Sequence, residues 1–130
     1  MARNSEAPPN RDALILQIRE KLLARAGGTV SVEEAADLIG DSAEAIRAKV
    51  ARRHLLTVPG PGGEPCLPAF QFEGARVIYG LERVLDAMHV REDWMRLQLA
   101  LDEDVLSALQ EHRIDDAVRS VASYLPTDEG

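Results

Sequence analysis

The feature that most constrains the fold of this chain is a pair of helix N-cap signals with a helix-ending glycine between them. Ser31 and Glu34 have the spacing of a capping box, in which each side chain accepts a hydrogen bond from the backbone N–H of the other residue. Gly40 then favours the end of the helix. The sequence therefore predicts helices over 32–39 and 42–53, and the tight turn between them is typical of a helix-turn-helix.

The second helix is a candidate DNA-reading element. Asp41 and Glu44 repeat the capping-box spacing at its start. Four cations follow, and these are Arg47, Lys49, Arg52 and Arg53. We expect the first two to meet base edges in the major groove and the last two to hold phosphates. The alternative is a solvated helix face whose last cations complement the helix dipole.

A short β-hairpin is predicted after these helices. Residues 55–58 and 66–72 have the character of strands, and the Pro- and Gly-rich segment 59–65 between them predicts a turn.

Ahead of the helix-turn-helix, apolar residues at helical spacing predict a helix over 11–26. Its apolar face is wide enough for the core and for a contact between two copies, although a core role alone is simpler. We therefore expect a winged helix-turn-helix over 11–72.

The rest of the chain predicts about four short helices, so the expected fold class is mainly α: a winged unit followed by a helical bundle over 73–125. Residues 1–10 and 126–130 are expected to be tails, the first of them flexible. Candidate contacts to a partner protein in the bundle are Trp94, Met95, Leu101 and Tyr124. For Trp94 a place in the core is the alternative.

Composition narrows the function classes. The formal net charge is −7, and the acidic excess lies in the C-terminal half, which suits a basic partner more than DNA. A small basic ridge on an acidic protein favours DNA binding as a homodimer. No apolar run approaches the length of a membrane span, the N-terminus lacks a signal-peptide core, and there is one cysteine, so we expect a cytoplasmic protein. Isolated histidines at no metal-ligand spacing predict neither a metal, a cofactor nor an enzyme.

Two segments resemble known families. The runs 32–40, 45–50 and 55–58 are similar to the helix-turn-helix of MerR-like and excisionase-like proteins. The segment 67–74, with Val77-Ile78-Tyr79-Gly80-Leu81 after it, resembles the Xre/MbcA/ParS group of antitoxins, and its most specific part is Pro68-Ala69-Phe70-Gln71-Phe72. The resemblance implies an antitoxin-like regulator that binds operator DNA and blocks a toxin through residues 80–125.

The chain departs from that family in four places, and the first is Asp41, which stands where a small apolar residue is usual. Asp102-Glu103-Asp104 stands where a Gly-rich turn is usual, and His112 or Arg113 replaces a glycine before the last helix. Glu64 lies in the hairpin turn, where related proteins carry cations. These departures keep a second hypothesis open, namely a protein-interaction adaptor or inhibitor that does not bind DNA.

Overall fold

A computed structural model describes residues 11–124, which form a mainly helical protein with a small antiparallel sheet. The predicted tails at 1–10 and 126–130 lie outside the described residues. The α-helices are α1 (Arg11–Arg25), α2 (Val32–Ile39), α3 (Ala43–Ala51), α4 (Leu81–Asp86), α5 (Asp93–Ala100), α6 (Glu103–Gln110) and α7 (Ile114–Ala122). The strands are β1 (Thr29–Val30), β2 (Val58–Pro59), β3 (Pro65–Pro68), β4 (Phe72–Glu73) and β5 (Arg76–Val77).

The α2–α3 pair follows the predicted punctuation, with one correction. The capping box at the start of α2 is present, since Ser31 Oγ accepts from Glu34 N and Glu34 Oε1 accepts from Ser31 N. Gly40 ends α2 in the left-handed region at φ 70°. The predicted second capping box is wrong. Ser42, rather than Asp41, caps α3 by accepting from Ala45 N at 3.0 Å, and the helix ends at Ala51 rather than at residue 53.

The sheet has the strand order β1-β3-β2, with both pairs antiparallel. Val30 faces Leu67 across one ladder, and Val58 faces Cys66 across the other. The predicted hairpin is therefore present, but its strands are shorter than expected. Residues 55–57 lie outside the ladder, and the return strand ends at Pro68, after which the chain forms a 3₁₀ turn over Ala69–Gln71. Residues 72–77 form a second, separate hairpin from β4 and β5.

A buried glutamine side chain makes the hydrogen bonds that a neighbouring strand would otherwise make with Leu56. Gln71 is fully buried. Its Oε1 accepts from Leu56 N at 2.8 Å, and its Nε2 donates to Leu56 O at 2.9 Å and to Pro68 O at 3.1 Å. One side chain thus pairs both backbone groups of Leu56, as a neighbouring strand would. This is the structural role of the glutamine in the Pro68–Phe72 motif.

The predicted series of four C-terminal helices is confirmed as α4 to α7. Between α6 and α7, His112 adopts φ 62°, a backbone conformation that glycine adopts with least strain. The two predicted parts of the chain share one continuous core. Its largest fully buried members come from both sides of residue 72 and include Ile46, Leu55, Leu67, Leu81, Leu97 and Leu109.

Candidate nucleic-acid and partner interfaces

One face of α3 is buried and the opposite face is exposed. Ile46 is fully buried against the core, whereas Glu44, Arg47, Ala48 and the C-cap residue Arg52 are exposed. Arg47 Nη2 lies 3.1 Å from Glu33 Oε2 on α2, and both side chains are more than half exposed. An exposed pair of this kind contributes about 0–1 kcal/mol, so the guanidinium can leave Glu33 for a nucleic-acid base or phosphate at small cost.

The four predicted DNA contacts do not share one surface. Lys49 is half-buried and lines a cleft with His54 and residues 77–82. Arg53 follows the helix at φ 65°, and its Nη2 donates to Arg91 O at 2.9 Å. Both residues are therefore directed toward the C-terminal helices. Arg47 and Arg52 remain as the cations of the exposed face of α3, and Arg52 also borders the cleft that Arg53 lines.

His54 fastens the end of α3 to α4. Its Nδ1 lies 2.9 Å from Glu82 Oε2, and its Nε2 lies 3.8 Å from Asp86 Oδ1. The shorter distance is within hydrogen-bond range, while the longer one is beyond it. His54 thus connects the end of α3 to α4.

A second cationic group, absent from the sequence prediction, lies where α3 meets α4 and α5. Arg52, Arg53, Arg91 and Arg96 line a cleft of about 320 Å³ together with Asp86 and His89; we call it the arginine cleft. Arg96 is only 4% exposed, and burial together with the neighbouring Arg53 guanidinium lowers its pKa from the usual value. Because the residues are some 40 positions apart, no local sequence pattern could have brought them together.

The predicted partner contacts separate into three environments. Met95 and Tyr124 are about 40% exposed and line one small cleft of about 180 Å³ with Gln98, Leu99 and Asp102; we call it the α5–α7 surface. Leu101 is fully buried, so its prediction as a partner contact is wrong. Periodicity placed it on an apolar face, and that face turns out to be core.

Trp94 lies between these extremes. It is half-buried and packs against the core. The guanidinium carbon of Arg19, on α1, lies 4.9 Å from the centroid of the indole ring, which is within cation–π range. One face of the ring is therefore covered by α1. Trp94 helps to dock α1 and α5, as the core alternative anticipated.

The first half of α1 leaves large apolar side chains in solvent. The exposed ones are Leu14, Ile15, Leu16 and Ile18, and none of residues 11–21 is buried. Leu22, later in the helix, and Ala26, directly after its end, are buried. The core-facing stripe of α1 thus continues beyond the edge of the core, which leaves an apolar overhang on the surface.

Comparison with known proteins assigns no relative to this chain. No family model matches it, and neither a curated protein nor a solved structure gives a significant match. Within residues 11–124, no helix is both long enough and apolar enough to cross a membrane, and no three metal-ligating side chains are grouped as a metal site. The function is therefore inferred from the surfaces described above.

Proposed function

We propose that this protein is a transcriptional regulator of the antitoxin type, which binds operator DNA with α3 and a partner protein with the α5–α7 surface. The observation that carries the proposal is the exposed face of α3, a helix that packs against α2 and precedes the β2–β3 hairpin in the chain. A helix pair with a tight turn, followed by a hairpin that pairs back on β1, supports the assignment of a winged helix-turn-helix. In such a unit the second helix of the pair enters the major groove.

Arg47 is the candidate for reading sequence. It lies near the middle of α3 on the exposed face, and a guanidinium can pair with O6 and N7 of guanine. Arg52, at the helix end, is suited to holding a phosphate. Two cations provide little phosphate neutralisation, so the proposed complex contains two copies of the chain on one operator.

The α5–α7 surface supports the second half of the proposal. Met95 and Tyr124 are large, amphipathic and exposed, which is the character of interface hot spots. Asp102 borders them, and Asp104 lies on the adjoining surface with Tyr124. An apolar centre with an acidic rim suits a basic partner. By the family resemblance, that partner is a toxin whose active site the bound helices would block.

Binding to the DNA upstream of the protein's own start codon tests the first half. Fluorescence anisotropy at about 50 mM and about 200 mM salt should show specific binding that weakens steeply with salt. Replacing Arg47 by Glu should lower the affinity about five- to 150-fold, since a bidentate base contact is worth about 1–3 kcal/mol. Arg119→Glu, an exposed substitution on α7, is the matched control. Equal binding by the Arg47 variant and the wild type would refute the proposed role of α3.

An adaptor or inhibitor without DNA binding is the second candidate. The observation that favours it is the hairpin turn, where Glu64 is the only charged residue between 60 and 65. That hypothesis is accepted if no DNA binding occurs at low salt while a co-expressed neighbouring gene product still co-purifies. Tyr124→Ala should then release the neighbour, and Tyr79→Ala, at another exposed tyrosine, should not.

A further inference from the structure

The arginine cleft combines an excess of positive charge with an overall acidic protein. Four guanidiniums and one carboxylate, Asp86, line it, which gives a formal charge of +3 with His89 neutral. The whole chain carries −7. Arginines that served only solubility would be spread among carboxylates, as Arg83, Arg113 and Arg119 are. Here four cations and one carboxylate line the same concave surface, so like charges lie close together and an added anion would be favourable.

Arg96 is the most informative member of the cleft. Its side chain is buried, yet its one hydrogen bond within residues 11–124 is a long one, 3.5 Å from Nη2 to Arg53 O. No carboxylate of the described residues lies within 4.0 Å of its guanidinium; Asp93 and Asp86 act on it only from further away. Burying a charge without a close partner costs several kcal/mol. The guanidinium therefore has unused donors at the bottom of the cleft.

The remaining arginines are also available to a ligand. Arg53 uses one donor on Arg91 O and has others left. Neither Arg52 nor Arg91 forms a side-chain hydrogen bond or ion pair with any residue in 11–124. Three of the four are exposed, so the cleft has an open mouth and a buried cation at its base.

We propose that the arginine cleft is a binding site for a phosphate group, carried by free phosphate or a small phosphate ester. A dianion with four oxygens matches converging guanidiniums better than a single carboxylate does, because each guanidinium can donate two parallel hydrogen bonds. The volume of about 320 Å³ exceeds that of an inorganic phosphate, so part of an ester fits as well. The site does not depend on the proposed DNA binding by α3, although a backbone phosphate of DNA could supply the same group.

Titration of the full chain with inorganic phosphate, followed by ¹H–¹⁵N NMR and by isothermal titration calorimetry against a chloride background, tests the site. Saturable binding is expected, with the largest shift at the side-chain N–H signals of Arg96. Arg91→Gln, an exposed substitution, should weaken phosphate binding roughly tenfold, as expected for the loss of a charge-assisted hydrogen bond. Arg96→Gln should weaken it further, and a thermal melt establishes whether that buried variant still folds. Arg119→Gln is the matched control and should bind phosphate as the wild type does.

The same variants separate this site from the DNA proposal. If phosphate binding is lost in Arg91→Gln while operator binding persists, the cleft takes a small phosphate compound. If operator binding is lost as well and its salt slope falls by about one, the bound group is a DNA phosphate. Phosphate shifts that do not saturate, or that are equal in Arg91→Gln and the control, overturn the site. If Arg47→Glu has no effect on DNA binding, the proposed role of α3 fails, but the phosphate site in the arginine cleft is not contradicted.

Discussion

At the residue scale, Gln71 has the most consequences for stability. Its amide satisfies the N–H and the C=O of Leu56 and also Pro68 O, all away from water. Gln71→Leu keeps the volume but leaves those backbone groups unpaired, at about 1–3 kcal/mol each. We therefore expect the free energy of unfolding in urea to fall by about 3 kcal/mol or more. Replacement of exposed Gln98 by Leu is the control and should change stability by less than about 0.5 kcal/mol. A small effect at Gln71 would show that water replaces the amide.

A comparison of Gly80 with Gly74, also at the residue scale, distinguishes the cost of backbone strain from the cost of steric overlap. Both have positive φ, 84° and 65°. A Cβ at Gly80 would overlap Ile114, whereas a Cβ at Gly74 meets nothing within 4 Å. Gly74→Ala should cost about 1 kcal/mol for the left-handed backbone alone, and Gly80→Ala about 1–3 kcal/mol more. Equal melting temperatures for the two variants would mean that Ile114 moves aside freely.

At the element scale, the capping of α3 gives a direct comparison between two neighbouring residues. Ser42 Oγ accepts from Ala45 N, while Asp41 Oδ1 reaches only Ser42 N. Loss of an N-cap typically costs about 1 kcal/mol. Ser42→Ala should therefore lower the free energy of unfolding by about that amount, and Asp41→Ala by distinctly less. Chemical denaturation of the two variants checks this order, and the reverse order would restore Asp41 as the cap.

Helices were predictable from sequence where local signals agree. The apolar spacing and caps of α2 lie within the ten residues from Ser31 to Gly40, so its limits are correct. The first strand was predicted too long because Gln71 pairs with Leu56 from 15 residues away, and such a contact leaves no local pattern. The arginine cleft was not predicted for the same reason, because its members come from two segments that are far apart in the sequence. Periodicity placed Leu101 on an apolar face but could not tell core from surface.

At the scale of the whole molecule, acid should weaken the fold partly through α7. A hydrogen bond from Arg113, and to a lesser degree one from Arg119, lowers the pKa of Asp116 below its usual 3.8. A carboxylate with a lowered folded-state pKa stabilises the fold above its unfolded-state pKa, and this contribution is lost as the pH falls through the folded-state value. The stability difference between the wild type and Asp116→Asn should therefore be largest near neutral pH and shrink below pH 3.8. Urea titrations at several pH values would contradict this if the difference stayed constant.

At the same scale, the apolar overhang of α1 predicts the oligomeric state. Leu14, Ile15 and Ile18 lie on the same helical stripe as buried Leu22, while Leu16 lies on another side of α1. A stripe that leaves the core of one chain can be covered by the same stripe of a second copy, related by a two-fold axis. We expect a homodimer by light scattering after gel filtration, which would also present two α3 faces to one operator.

Two side chains of α1 with nearly equal exposure make that expectation testable. Ile18 is 55% exposed and Leu16 is 58% exposed, so replacement by Glu adds a solvent-exposed charge to a single chain equally at either position. Ile18→Glu would place a charge in the proposed contact, where burying it unpaired is costly, and should give monomers. Leu16→Glu should stay dimeric. Loss of operator affinity in Ile18→Glu alone would link dimerisation to DNA binding. A monomeric wild type would contradict the predicted dimer and would mean that something other than a second copy covers the overhang. Two cations per complex would then be too few for a tight operator contact.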